Sequence, residues 1–319
     1  MWLPLLVASK RTLITVTIFI LLFSAICRPM KTCWSREEHL MRSMLHSAVA
    51  LPIPQVKGYK MKTGIISDIH EDVIRLEASL RLLDAAGVDD VICLGDIVGY
   101  SVPFYGYLKT RDANRCVDLV RATCSATVIG NHDLFAVQRL PVKSGSFVFP
   151  DEWYSLSFAE RQKRAKGDVF LYEDHELPSL LTEENKAWLG ALPEMVIKHY
   201  GTHNVFISHY ASPDLTGCCT AEVSTSIDLS AHFDVLEMNH CIYGFSGNDH
   251  IPGMKIFDTA QVRQYGFEKI ALTEKAAWIT GPTISLGTVP NGVMLYDSDE
   301  RTISVLPLEG RLHTLPLSI

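Results

Sequence analysis

From Met61 onward, apolar and polar positions follow two alternating periods. Thr63 to Ser67 is a short apolar run, read as a strand, closed by Asp68-Ile69-His70. Val73, Leu76, Leu80 and Leu83 then recur at helical spacing, and Gly87 stops the helix. Val91 to Leu94 predicts a second strand, ending in Gly95-Asp96. A helix capped by Asp112, with Cys116, Val117 and Val120 on one face, leads to a third strand at Ala126 to Ile129. That strand ends in Gly130-Asn131-His132-Asp133. A β-α-β-α-β run of this kind implies parallel strands, right-handed crossovers and an α/β fold. A later segment repeats the pattern. A strand at Asn204 to Ser208 is closed by His209, a helix follows at Ala231 to Met238, and a strand at Cys241 to Phe245 runs into Gly247-Asn248-Asp249-His250.

Residues 1–60 do not share this organisation, so the chain divides into an N-terminal extension, 1–60, and one large domain, 61–319. Thr12 to Cys27 is an apolar run of 16 residues with Lys10 and Arg11 before it and Arg28 after it. A spanning helix needs about 20 residues. The run suits a signal h-region in length, but Ser24-Ala25-Ile26 before Cys27 is not a good small-x-small cleavage site. Ser35 to Ala50 reads as an amphipathic helix opened by a capping box at Ser35 and Glu38. Three readings stay open: a signal, a membrane anchor through residues 12–27, and a true start at Met61. The expected location is the cytoplasm, or a membrane surface if 12–27 is retained.

Composition narrows the class. With 319 residues, 47% of them apolar, the chain can bury a large core without staples. A net charge of −7 and a pI near 5.9 give no electrostatic footprint for nucleic acid. The eight cysteines are too dilute for a disulfide scaffold, and none has C-x-x-C spacing. Cys93 reads as a buried small hydrophobe, and the vicinal pair Cys218 and Cys219 as two unrelated thiols, since adjacent cysteines pair only with strain.

Chemistry collects at the strand ends. In parallel sheets the carboxyl ends of the strands face one crevice, where ligands bind. An Asp or Asn after a strand is ordinarily a turn residue. Three successive ends carrying Asp68, Asp96 and Asn131, with His70 and His132 beside them, are harder to attribute to turns. The candidate cluster is Asp68, His70, Asp96, Asn131, His209, Asn248 and His250. Mixed imidazole, carboxylate and amide donors suit Mn, Fe, Zn or Ni better than the oxygen cages of Ca or Mg. So many donors suggest two divalent ions sharing a carboxylate, about 3.5–4 Å apart, as for in-line displacement at phosphorus.

At these residues the chain resembles the calcineurin-like metallophosphoesterase superfamily. Its blocks D-x-H, G-D, G-N-H-D/E, an isolated H and G-H-x-H are matched, in order, by Asp68-Ile69-His70, Gly95-Asp96, Gly130-Asn131-His132-Asp133, His209 and Gly247-Asn248-Asp249-His250. Bacterial single-domain members are nearest in the stretches 94–100, 181–193 and 209–213. The resemblance implies a four-layer αββα sandwich of two mixed β-sheets flanked by helices. It implies that Asp68, His70, Asp96 and His250 hold one metal, and that Asp96 bridges to a second held with Asn131 and His209. It also implies that His132 acts on the substrate phosphate while Asp133 orients its ring.

Two blocks depart from the pattern. Asn248 stands where the superfamily has a histidine, and an Asn-Pro-Gly-Ser-like turn is replaced by Thr280-Gly281-Pro282-Thr283. The aromatic and basic stretch from Pro150 to Gly167 reads as a solvated helix, with a substrate lid as the other reading, and His175 and His203 read as surface residues. The implied function is a manganese-type phosphatase or phosphodiesterase, acting on a small molecule, a nucleotide or a phosphoprotein. The alternative is a partly degenerate fold serving as a protein-binding scaffold.

Overall fold

The computed structural model describes residues 61–310, 312 and 313, so the expectations at 12–27 and 35–50 lie outside the described residues. Two six-stranded sheets carry the fold. The first is built from β1 (Lys62–Ile66), β2 (Asp90–Cys93), β4 (Ala126–Thr127), β11 (Lys269–Ala271), β13 (Gly292–Asp297) and β14 (Thr302–Pro307), in the order β11-β14-β13-β1-β2-β4. The second is built from β6 (Met195–His199), β7 (Asn204–Ser208), β8 (Cys241–Ser246), β9 (Met254–Asp258), β10 (Val262–Tyr265) and β12 (Ala277–Thr280), in the order β10-β9-β12-β8-β7-β6. A separate two-stranded ribbon pairs β3 (Tyr100–Ser101) with β5 (Glu176–Leu177).

The expected parallel pairs are present: β1 with β2, β2 with β4, and β7 with β8. Both sheets are mixed, because β13 joins β1 and β6 joins β7 antiparallel. The third strand is shorter than the apolar run suggested. Val128 still donates to Cys93 O, but Ile129 turns away to donate to Pro193 O, which ends the ladder with β2.

Strand alternation sorts the core into layers. Ile65, Ile92, Ile207, Phe245 and Ile279 meet between the sheets. Their neighbours Ile66 and Cys93 point the other way, onto Leu76 and Leu83 of α1 (Val73–Ala85), Val117 and Val120 of α2 (Ala113–Thr123), and the segment of α3 (Asn131–Val137). Beyond α4 (Phe158–Ala165), α5 (Glu183–Gly190) adds Leu189 to that face. On the far side of the second sheet Phe206 packs against Leu236 of α6 (Ser230–Met238). The result is helix, sheet, sheet, helix, the four-layer sandwich expected. Asp72 and Asp112 cap α1 and α2 by accepting from Arg75 N and Arg115 N. The six cysteines among the described residues are free thiols, with Cys93 fully buried. No helix among the described residues is long and apolar enough to cross a membrane.

Candidate metal centre

The strand ends of both sheets converge on one point. Asp68 and His70 follow β1, Asp96 follows β2, Asn131 opens α3, His209 follows β7, and Asn248 and His250 follow β8. The chain reaches this point at a conformational cost. Asp68, His70, Asp96, Asn248 and His250 all have φ between 47° and 65°, in the left-handed region. Non-glycine residues held there cost of order 1–3 kcal/mol each and persist only where the surroundings fix them. The loops are also pressed together. A Cβ on Gly130 would stand 2.2 Å from Asp96 Oδ1, so only glycine lets these two strand ends meet.

Three groups of donors have their ligand atoms within 4.8 Å of one another: Asp68, His70 and His250; Asp68, Asp96 and His209; and His70, Asp96 and His132. Asp68, His70, Asp96 and His209 are at most 1% exposed. Backbone contacts fix the imidazole tautomers. His70 donates its Nδ1 proton to Gly99 O at 2.9 Å, and His209 donates its own to Leu94 O at 2.7 Å. In the neutral rings the opposite nitrogens therefore present lone pairs. His209 Nε2 lies 3.2 Å from Asp96 Oδ2 and 3.1 Å from Asn131 Oδ1. The Asn131 Nδ2 points the other way and donates to Tyr172 Oη at 2.7 Å. His70 Nε2 likewise faces His250 Nε2 at 3.1 Å, and that nitrogen is 3.1 Å from Asp68 Oδ1.

The charges reflect this crowding. Burial acts to raise the Asp96 carboxyl, but the imidazoles of His209, His132 and His70 outweigh it and hold the group well below the usual range. Burial acts to lower His209, and Asp96 and Asp68 reverse it, pushing the imidazole up to about 10. His70 goes the other way, to about 3, through burial and the neighbouring His132.

A cavity of about 300 Å³ opens over this centre, lined at its floor by Asp96, Asn131, His132, Asn248 and His250. A profile of the calcineurin-like phosphoesterase superfamily domain matches residues 61–264. The chain belongs to that superfamily. An uncharacterized protein of Methanocaldococcus jannaschii is 24% identical over 255 residues, covering 78% of this chain and 88% of the relative. A crystal structure of a metallophosphoesterase from Sphaerobacter thermophilus is similar in fold, with a TM-score of 0.56 and 21% identity over 79% of this chain and 89% of that one. Superfamily membership, together with the His and Asp donor groups, supports hydrolysis of phosphoesters with divalent metal ions.

Within the superfamily's blocks, one assignment needs correction. Asp133 does not orient His132. At the start of α3 its carboxylate turns back under the loops, where it accepts from Ile97 N, Val98 N and Gly130 N at 2.8–3.1 Å. Those N–H groups oppose burial and the nearby Asp96, which together push Asp133 up to about 7. The carboxylate on His132 is Glu176 of β5, which accepts from Nδ1 at 2.5 Å and is almost fully buried. Burial disfavours the His132 cation, but Glu176 and Asp96 push it up to about 9.

Other residues also take places that their sequence context did not suggest. His175 lines the cavity, and His203 is half-buried, stacked on Tyr200 and bonded to the Tyr296 hydroxyl. The Pro150 to Gly167 stretch does form a helix, α4, with Lys163 and Lys166 exposed, while Trp153 and Arg161 are buried and Arg161 pairs with Glu173. Asn248 lines the cavity and its backbone N–H donates to both Asp68 oxygens at 3.2 Å. The altered turn closes the site from below: Thr283 Oγ1 donates to Asp68 O at 2.7 Å.

Proposed function

We propose that the chain is a metal-dependent phosphoric-ester hydrolase whose strand ends hold two divalent ions. The observation that carries this reading is the convergence of lone pairs on His209 Nε2. With its Nδ1 proton spent on Leu94 O, the neutral ring turns Nε2 toward Asp96 Oδ2 and Asn131 Oδ1, both acceptors, at a buried point under the cavity. Buried acceptors facing one another call for a cation between them: a proton on Nε2 when no metal is bound, which is why His209 is pushed up to about 10, and a divalent ion in its place when one is. The donor set fits such a cation: imidazole, carboxylate and amide oxygen suit a first-row divalent metal.

In this reading Asp68, His70 and His250 hold one ion, His209 and Asn131 hold the other, and Asp96 serves both. When bound, such ions polarise the phosphoryl oxygens and make water acidic enough to attack at neutral pH. The protein's own groups do the rest. His132 stands at the cavity floor with Nδ1 bonded to Glu176, so its other nitrogen can give a proton to the departing oxygen. Asp133 holds the loops that carry Asp96 and His132 in register. Asn248, a neutral amide where an imidazole is usual, makes the second ion the weaker-held of the two.

Metal analysis of the purified protein, paired with p-nitrophenyl phosphate and bis(p-nitrophenyl) phosphate hydrolysis during a Mn titration, tests the proposal. Turnover that rises with bound metal, and loss of both in Asp96→Asn, is the expected result. A protein that binds no divalent metal, or hydrolyses neither ester when loaded, overturns it.

A further inference from the structure

The turn after Tyr172 serves two consecutive residues of α3. The Tyr172 carbonyl accepts from His175 N and Glu176 N at 3.2 and 2.8 Å, and this turn lays the Glu176 carboxylate on His132. The tyrosine's own side chain goes to the residue before. Its hydroxyl stands 2.7 Å from Asn131 Nδ2, and its ring packs on both His132 and Phe135, with centroids 4.6 and 5.0 Å away. Only 7% of Tyr172 is exposed, and it lines the cavity over the metal centre together with Asn131 and His132.

The phenol and the amide must divide donor and acceptor between them. An asparagine side chain holds a cation through its oxygen, the one atom of the amide with lone pairs to give. With Oδ1 turned to His209 and to an ion held there, Nδ2 is the atom left for Tyr172, and the phenol has to accept. A hydroxyl that accepts from an amide N–H must send its own proton elsewhere. Among the described residues, Asn131 is the one hydrogen-bond partner of that hydroxyl, so its proton is left at the cavity wall beside a ligand of the ion. Phosphoryl oxygens would arrive at that place. Two ions can take two of them, and a further charged oxygen calls for a donor. We propose that Tyr172 serves the centre through its hydroxyl, accepting from Asn131 so that the amide oxygen stays on the ion, and donating to a phosphoryl oxygen bound above it. The inference rests on the hydrolase reading above and adds to it a residue that lies outside the superfamily's blocks.

Tyr172→Phe removes the oxygen and keeps the ring. Manganese titration by calorimetry should show the weaker binding step loosened about 10-fold, the effect of losing an outer partner of a ligand, with the tighter step unchanged. At Mn saturating for each protein, inorganic phosphate should bind at least about 10-fold more weakly, the range for a hydrogen bond to a charged group. The tyrosine ultraviolet difference spectrum that phosphate induces in the metal-loaded wild type should shrink in the variant. Phe135→Leu loosens the same packing but leaves the hydroxyl, and should keep both affinities near wild type. An undiminished spectrum in Tyr172→Phe, or wild-type affinity for either the second ion or phosphate, overturns the inference and leaves the hydrolase reading standing. So does equal weakening in Phe135→Leu, which would make Tyr172 a packing residue. If the wild type binds neither Mn nor phosphate and hydrolyses no ester, both fall.

Discussion

Two carboxylates, one residue and forty-four residues along the chain from His132, divide the work around it. Asp133 is its chain neighbour but spends both oxygens on backbone N–H groups, whereas Glu176 reaches its ring from across the fold. The two sites therefore respond differently to the loss of a carboxylate. Glu176→Gln keeps the shape and removes the charge, and should lower kcat by about 10-fold or more with metal content and urea midpoint unchanged. His132→Ala should cut turnover by about 10²–10⁴, the range for a general acid–base group, again with metal retained. Asp133→Asn instead turns an amide toward buried donors and should cost about 1–3 kcal/mol in urea unfolding, because a buried donor loses its acceptor. An Asp133→Asn protein of unchanged stability would contradict this division. Sequence could not assign the pair. The family resemblance implied Asp133, and Glu176 lies in a two-residue strand with no periodicity to announce that it faces the centre.

The elements themselves were legible because each strand is a short apolar run ended by a polar residue that cannot continue it. Asp68, Asp96 and His209 were found this way, at the ends of β1, β2 and β7. Between α3 and α5 the expected helix is present as α4, but the inward placement of His175 and Glu176 was not legible, because contacts such as the Arg161 pair with Glu173 replace periodic burial there. An element can also carry a pH response unrelated to the centre. On α6, His232 is fully buried, accepts from Ser212 N at Nδ1, and has no partner for Nε2. Burial lowers its pKa from 6.5 to about 4, so the unfolded chain takes up the proton first. Its contribution is therefore fully present above about pH 6.5 and is lost as pH falls toward 4, by about 3 kcal/mol in total. His232→Asn keeps an acceptor for Ser212 and does not titrate. Its unfolding free energy should fall less steeply than the wild type's between those pH values. Parallel curves would show that His232 is not the cause.

For the whole molecule, the superfamily match begins at residue 61, and Met61 already accepts from Ser298 N and donates to Ser298 Oγ. A chain started at Met61 is accordingly expected to fold and to retain hydrolysis, and a truncated protein that is insoluble would move the domain boundary upstream. The two sheets contribute unequally to the centre: Asp68, His70, Asp96 and Asn131 come from the first, and His209 and His250 from the second. Their inner faces are held together by apolar contact, but at this end carboxylates and imidazoles meet across the sheets, with His209 3.2 Å from Asp96 and His250 3.1 Å from Asp68. A bound ion thus acts as a clasp across the sandwich, and the free energy of binding it becomes free energy of folding. At 100 times its dissociation constant one ion adds about 2.7 kcal/mol by mass action. Thermal unfolding should shift upward with metal concentration and fall after chelation, with amide exchange accelerating first at the strand ends where the sheets meet.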